Sequence, residues 1–267
     1  MTASLRVVRQ YVAMNVMMTL EYRGAFAVLM FNTVAGPVVS LMVWLAVSDQ
    51  GVRLPYDRSQ LVTYFVLLSV VRMLTGTWLA PYVAEEIRLG HLSPLLLRPA
   101  PYVASYLGNN IGEKVIKLPL LLPMVAALAL AFRSDLRLPA DPLVWLLFGL
   151  SLPLAAALAF LLDFAVGSLA FWLEDVEGLV RLKTLVGALL AGELVPLALF
   201  PIGLAGFLEA QPFRYTLSFP LEVLSGALPG PALARGFAWQ LAYCAGLWAA
   251  YRLLWRFGLR RYGATGA

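Results

Sequence analysis

The sequence is poor in the residue types on which metal centres and many catalytic sites depend. It contains one cysteine, Cys244, and one histidine, His91. A single cysteine excludes an intrachain disulfide and a cysteine-based metal cluster, and a single histidine excludes a multi-histidine metal site. His91 stands in a polar segment, where an exposed histidine is a simpler interpretation than a catalytic one. A Ser-His-Asp arrangement would also need a serine that nothing in the sequence marks.

Lysine is scarce as well. The chain has three lysines, Lys114, Lys117 and Lys183, and none of them follows a glycine. A Walker A loop places its lysine directly after a glycine, so this chain does not bind ATP in that way. We therefore predict that the chain itself has no catalytic, cofactor-binding or metal-binding residues.

Charged residues make up 13% of the chain and hydrophobic residues 61%, with a mean hydropathy of +0.80. Soluble domains are nearer to ~25% charged and ~45–50% apolar. The apolar residues also come in long blocks, which is typical of a protein that crosses a bilayer several times. The net charge of +5 does not indicate a nucleic-acid partner, because the basic residues flank apolar blocks instead of covering one face.

The apolar blocks predict an all-α polytopic membrane protein with a single domain over residues 1–267. We expect six transmembrane helices, at residues 24–47, 60–82, 115–132, 143–173, 184–200 and 237–257. Residues 4–22 are too short and too charged to cross and predict an interfacial helix. Residues 202–236 are interrupted by four prolines and predict short re-entrant helices before the last crossing.

The orientation follows from the lysine and arginine residues outside the crossings or near their ends. Thirteen of them fall on the side of both termini and six on the other side. Because positive residues concentrate in cytoplasmic loops, both termini are predicted to be cytoplasmic.

Apart from basic residues near the cytoplasmic ends of crossings, three charged residues fall inside predicted crossings: Arg72, Asp163 and Glu193. Intramembrane charges are costly, and they either serve function or are paired. Two interpretations stay open, a polar pathway for substrate and a set of structural ion pairs. Glu193 is the best pathway candidate, because Gly192 and Pro196 flank it and loosen the helix there.

The longest charged and turn-rich segment between crossings spans residues 85–101. It has Glu86 and Arg88 at one end, a break at Gly90, and a short leucine ridge before Arg98 and Pro99. This pattern is typical of an amphipathic element at a membrane surface that presents leucines to a partner, although a loop helix packed on its own protein fits as well. Residues 174–177 and 181–183 predict a second, smaller charged hairpin.

The same segment resembles the first cytoplasmic loop of permease subunits of type-two ATP-binding cassette (ABC) exporters, in a bacterial branch of separately encoded six-helix permeases. The resemblance spans most of the chain and rests on the order and spacing of several short motifs. These are EIRLGHL at 86–92 with LLLRP at 95–99, FWLEDVEG at 171–178, GELVPLALFP at 192–201 with QPF at 211–213, FPLE at 219–222 with Gly226, and RRYG at 260–263.

The resemblance implies a multi-pass protein of the bacterial inner membrane that works as a homo- or heterodimer. It also implies a separate ABC ATPase subunit, which would bind ATP and Mg. The coupling contact with that ATPase would involve Glu86, Arg88, Gly90, Leu95, Leu96, Leu97, Arg98 and Pro99, with a second contact at Glu174, Asp175 and Glu177. Substrate would pass between the two permeases along the second and fifth crossings, near Arg72, Glu193 and Pro196.

Two other classes of protein remain as alternatives. A proton-coupled secondary transporter or channel would use Arg72, Asp163 and Glu193 as a relay. A membrane-embedded transferase would need clustered His, Asp or Glu residues at one membrane face, and only Glu174, Asp175 and Glu177 cluster in the sequence.

Overall fold

The computed structural model describes residues 9–14, 17, 23–97, 102–226 and 228–262, and all regular secondary structure in these ranges is helical. Residues 9–14 are helical, and most of the remaining predicted interfacial helix at 4–22 lies outside the described residues. Ten α-helices follow in these ranges: α1 Arg23–Asp49, α2 Arg58–Thr75, α3 Leu79–Arg88, α4 Leu92–Leu96, α5 Tyr102–Ala131, α6 Pro142–Ser168, α7 Glu177–Leu190, α8 Ala205–Ala210, α9 Ser218–Leu224 and α10 Gly230–Gly258.

The predicted all-helical membrane class is confirmed. Among the described residues, three stretches are long and apolar enough to cross a bilayer: Arg58–Arg88, Tyr102–Ala131 and Pro142–Phe171. The first of them joins α2 and α3 across a short break. Helices α1 and α10 have 27 and 29 residues, which is about 40 Å or more of helix and also enough to span. The count of six crossings stays a prediction.

Short polar signals determine where two of the long helices begin. The Asp57 side chain accepts a hydrogen bond from the Gln60 amide at 2.7 Å, and the Gln60 side chain accepts one from the Asp57 amide at 2.8 Å. This capping box starts α2. Asp141 accepts from the Leu143 amide at 2.8 Å, and Pro142 occupies the first turn of α6.

The second crossing is not one continuous helix over residues 60–82. Helix α2 ends at Thr75, Gly76 is extended at φ −60° and ψ 152°, and α3 begins at Leu79. Pro81 gives a local reason, because in a continuous helix its ring would clash with the carbonyl of Thr77. In the first turn of α3 the same proline is tolerated.

The third crossing, predicted at 115–132, belongs to a longer helix. Helix α5 starts at Tyr102 and has 30 residues. Lys114 therefore lies in the middle of the helix instead of before its start, and so does Lys117, which the prediction placed near the start of the crossing. Its inner prolines, Pro119 and Pro123, do not interrupt it.

The prediction of a helix over residues 184–200 for the fifth crossing is also wrong in its bounds. Helix α7 begins at Glu177 and ends at Leu190, so its 14 residues reach only about 21 Å. Gly192 follows with φ +83°, and a Cβ there would lie 2.2 Å from Ser218 Oγ. The chain therefore continues through turns and a short 3₁₀ segment, Leu197–Leu199, instead of a helix.

The predicted charged hairpin at 174–183 is also wrong. Glu177 is the first residue of α7, and Arg181 pairs with it one turn later at 2.5 Å within that helix. In contrast, residues 202–224 form short helical pieces only, as the prolines indicate: Ile202–Leu204, α8, Pro212–Thr216 and α9. Their position relative to the bilayer stays a prediction.

Helix α6 is the central helix, which packs against α10, α3 and α9. At one end of the molecule the ends of α3, α6 and α10 meet the start of α5 and the helix α4. An aromatic cluster fills this junction, with Leu92, Tyr106, Phe164, Tyr251 and Trp255 buried. We call this the α4 end. A second cluster joins α1, α2 and α5, and a third joins α6 and α10 to residues 215–223.

Candidate functional site

A cavity of about 290 Å³, which we call the polar cavity, lies at the break between α2 and α3. Its lining brings together side chains from α2, α5, α6 and α7 and from the segment after α7. The charged lining residues are Arg72, Glu113, Lys114, Lys117, Asp163, Lys183 and Glu193. The three intramembrane charges predicted from the sequence, Arg72, Asp163 and Glu193, therefore line one cavity. Pro196 is buried but is not among its lining residues.

Two charged side chains from other helices satisfy the backbone groups that the break releases. Lys114 Nζ on α5 donates to the Gly76 carbonyl at 2.7 Å, just after α2 ends. Asp163 Oδ2 on α6 accepts from the Leu79 amide at 2.8 Å and from the Ala80 amide at 3.3 Å, at the start of α3. Unpaired backbone groups are costly away from water, so these contacts make the interruption possible inside an apolar span.

Asp163 is the most deeply buried of the cavity's charges, since its side chain is 2% exposed. Besides the two amides, it accepts a hydrogen bond from Lys183 Nζ on α7. A buried carboxylate needs both a counter-ion and hydrogen bonds, and Asp163 has both. Asp163 therefore forms an ion pair with Lys183 and also caps the start of α3.

Arg72 and Glu193 form a second ion pair, with Arg72 Nη1 2.9 Å from Glu193 Oε1. The pair joins the last turn of α2 to the segment after α7. The arginine passes close to Gly36 of α1, where a Cβ would lie 3.7 Å from Arg72 Nη1. Glu113 and Lys117, one turn apart on α5, form the third pair.

A larger cavity of about 540 Å³ lies near the capping box at the start of α2, which is the opposite end of that helix from the break. Tyr56, Arg137, Arg214 and Glu222 line it, and Arg214 pairs with Glu222 at 2.6 Å. Burial raises the pKa of Tyr56 to about 12, with Glu222 adding to the rise and Arg214 opposing it. Tyr56 is therefore a neutral hydroxyl at physiological pH.

The α4 end presents a different kind of surface. Leu92 is fully buried in the aromatic cluster, and Ser93 contacts Tyr262 beyond α10, where the Ser93 amide donates to Tyr262 Oη at 3.2 Å. On the other side of the short helix, Leu96 is 39% exposed and Leu97, just after it, is 87% exposed. Helix α4 is thus anchored on one side and open on the other.

Comparison with known proteins decides the family. The chain matches the sequence profile described as ABC-2 family transporter protein over residues 34–266 of its 267. The chain belongs to the ABC-2 transporter family. No curated protein and no solved structure matches it. Membership of the ABC-2 family makes the chain a multi-pass membrane permease of an ABC transporter, and the ATPase of that transporter is a separate component.

The coupling residues implied by the resemblance, as far as the structure describes them, lie at the α4 end of the permease. Glu86 and Arg88 lie in the last turns of α3, where Glu86 accepts a hydrogen bond from Tyr106 Oη and Arg88 is exposed. Gly90 makes the turn to α4 with φ +75°. The backbone of Leu95 belongs to α4, whereas Arg98 and Pro99 lie outside the described residues.

The second predicted contact of the permease lies at the start of α7. Glu174, Asp175 and Glu177 are exposed, and Asp175 Oδ1 accepts from the Glu177 amide at 2.7 Å. Helix α3 packs against both α7 and the 3₁₀ segment Leu169–Phe171 that precedes these acidic residues. The coupling role of both segments stays a prediction.

Four charged residues of the polar cavity were not predicted as site residues: Glu113, Lys114, Lys117 and Lys183. The predicted third crossing began at residue 115, so Glu113 and Lys114 fell before it and Lys117 near its start, and Lys183 belonged to the predicted hairpin. One signal was present: prolines at positions 99 and 101 precede Tyr102, and proline just before a periodic segment is a helix-start signal. The role of Tyr262 as a partner of Ser93 had no local signal.

Proposed function

We propose that this permease is one half of the membrane part of an ABC exporter. It pairs with a second permease, identical or homologous, in the bacterial inner membrane, with both termini in the cytoplasm. A separate ATPase subunit binds ATP and Mg and drives alternating access. The substrate is hydrophobic or amphipathic.

The observation that carries this proposal is the two-sided environment of α4. Its buried side is attached through Leu92 and Ser93 to the core of the α4 end and to the residues after α10. Its open side leaves Leu96 and Leu97 in solvent. Burying one leucine is worth ~1.5–3 kcal/mol, so a partner that covers this ridge gains useful docking energy.

The attachment of α4 also supplies a route for coupling. An ATPase that moves α4 moves the ends of α3 and α10 with it, because these share one packed aromatic cluster. Nucleotide binding shifts the permease between states only if the contact with the ATPase differs between those states. Glu86 and Arg88 on α3, and Glu174, Asp175 and Glu177 before and in α7, are the charged groups placed to set the register of that contact.

The test uses affinity-tagged permease isolated from its own membranes. We expect an ATPase with a Walker A sequence to copurify, and Leu97→Asp to abolish that copurification while leaving the amount of inserted permease unchanged. The matched control is Leu138→Asp, since Leu138 is a 51% exposed leucine in the loop between α5 and α6, away from the α4 end. Retained ATPase binding and normal ATP hydrolysis in Leu97→Asp would place the interface elsewhere.

The family assignment replaces the alternative of a proton-coupled secondary transporter. Arg72, Asp163 and Glu193 do line one cavity, but they do so in an ABC permease. Transport by the permease alone, in liposomes with an imposed proton gradient, would contradict the proposed dependence on the ATPase.

A further inference from the structure

The charges of the polar cavity at the α2–α3 break do not cancel. The cavity is lined by four cations and three carboxylates: Arg72, Lys114, Lys117 and Lys183, and Glu113, Asp163 and Glu193. Three ion pairs account for three of the cations: Arg72 with Glu193, Lys117 with Glu113, and Lys183 with Asp163. In the part of the chain that the structure describes, Lys114 forms no ion pair with a carboxylate.

Two hydrogen bonds hold the Lys114 side chain in place, but they do not use all of its N–H donors. Its ammonium group donates to the Gly76 carbonyl at 2.7 Å and to Asn110 Oδ1 at 2.5 Å. A lysine ammonium has three N–H donors, so one donor remains for a further acceptor. The nearby cavity residue Thr77 has a buried hydroxyl that finds no hydrogen-bond partner within the described ranges. Two donors and one uncompensated positive charge thus belong to the same cavity.

The cavity also lies at a suitable depth for a head group. Along α6, Asp163 is 21 residues from Pro142, or about 31 Å, which is the thickness of the hydrocarbon core. Along α5, Lys114 is 17 residues from Ala131, or about 25 Å. The cavity is therefore near one membrane surface, on the side of the α4 end, with apolar span beyond it.

Large apolar side chains also line the cavity. They are Met73, Trp78, Leu162, Phe213 and Leu217, and Trp78 is 60% exposed. An exposed indole next to a cationic group at a membrane surface accommodates the junction between a polar head and an apolar body.

We propose that this cavity binds the head group of an amphiphile that carries one negative charge, with Lys114 as the contacting cation and Thr77 as a second donor. The inference deepens the proposed function, because it names the substrate class of the transporter. A single anionic group would compensate Lys114, the lining cation that has no carboxylate partner among the described residues. Arg72 is not the anion-binding group, because Glu193 already neutralises it.

The experiment measures binding of two probes of equal chain length and permanent opposite charge, decanesulfonate and decyltrimethylammonium. The purified full-length permease is held in phosphatidylcholine nanodiscs, and binding is determined by equilibrium dialysis against empty nanodiscs. We expect the wild-type protein to bind decanesulfonate at least about tenfold more tightly than the cation, since a tenfold ratio corresponds to no more than one charge-assisted hydrogen bond. Equal binding of the two probes by the wild-type protein overturns the proposal, whatever the variants do.

Three variants locate the site. Lys114→Gln should lose the preference for the anion, and Lys114→Arg should keep it, because the charge remains. The control is the double variant Glu113→Gln/Lys117→Gln, which removes a neighbouring ion pair without changing the charge balance and should also keep it. A Lys114→Gln protein that retains the full preference places the anion elsewhere and overturns the proposal.

Two further arms identify the source and separate this inference from the proposed function. If phosphatidylglycerol in the nanodisc competes with decanesulfonate, the natural occupant is an anionic bilayer lipid. If it does not, the occupant is a separate amphiphile, and either result supports the anionic site. The binding assay contains neither ATP nor ATPase, so its failure leaves the ATPase partnership standing, and loss of that partnership leaves the binding result standing.

Discussion

Arg72 Nη1 lies 2.9 Å from Glu193 Oε1, so the last turn of α2 is tied directly to the segment that follows α7. The two side chains are 34% and 22% exposed, respectively. This relationship turns two isolated intramembrane charges into one contact between the second and fifth hydrophobic regions of the permease. Three consequences of the polar cavity and its surroundings can be measured.

Breaking the Arg72–Glu193 pair should lower stability more than breaking a surface pair. Arg72→Met leaves a partly buried carboxylate without its partner, and the cost should fall between ~0–1 kcal/mol for an exposed pair and ~3–5 kcal/mol for a buried one. The measurement is the Tm of the purified permease in detergent, followed by tryptophan fluorescence. The control is Arg235→Met, which breaks the exposed pair with Glu209. Equal Tm shifts in both variants would contradict a special role for the Arg72 contact.

Asp163 should contribute through its hydrogen bonds to α3 as well as through its charge. Asp163→Asn keeps an oxygen for the Leu79 and Ala80 amides, whereas Asp163→Ala removes the cap, which is worth ~0.5–2 kcal/mol. We expect Tm to fall in the order wild type, Asn, Ala.

Both Asp163 variants also leave Lys183 without its counter-ion. Adding Lys183→Gln to Asp163→Asn should therefore recover part of the lost Tm, which is a positive coupling in a double-mutant cycle. If the double variant is as unstable as the sum of the single variants, the two residues do not act as a pair.

A third prediction concerns the close approach of α3 to α6. A Cβ on Gly167 would lie 2.8 Å from the Ala80 carbonyl oxygen and 2.8 Å from Val83 Cβ, so Gly167→Ala must push the two helices apart. Overpacking of this kind costs ~1–3 kcal/mol. Gly149→Ala on the same helix is the matched control, because nothing lies within 4 Å of its added Cβ. The control should leave Tm unchanged or raise it, since alanine favours helix over glycine. A Gly167→Ala protein as stable as the Gly149→Ala protein would show that α3 and α6 do not pack this tightly.

The prolines of this chain do not all interrupt helices, so a local sequence rule alone does not predict the helix break. Pro37, Pro119, Pro123 and Pro153 all lie inside continuous helices, whereas Pro81 follows an interruption. The residue type alone therefore does not predict the break. The difference is tertiary: at the break, Lys114 and Asp163 supply hydrogen bonds to the free carbonyl and amides, and they come from helices distant in the sequence.

The sequence likewise identified only some of the charged residues of the candidate site. The sequence identified Arg72, Asp163 and Glu193 because charges in apolar segments are conspicuous. It did not identify Glu113 and Lys114, because α5 begins a dozen residues before the apolar stretch that defined the third crossing. Residues 102–114 are too polar to count as a crossing by hydropathy, yet they extend the same helix.

The sequence by itself determined the all-helical membrane class, the membership in an ABC permease family and the dependence on a separate ATPase. Composition, apolar blocks and the lack of a phosphate-binding loop are properties of the chain that need no folding to be read. Only the tertiary structure decided which charge pairs with which, where the second and fifth regions stop being helical, and why Lys114, unlike the other cavity cations, has no carboxylate partner among the described residues. Those outcomes depend on contacts between residues far apart in the sequence. Leu79 and Asp163 are 84 positions apart, and only packing brings such residues together.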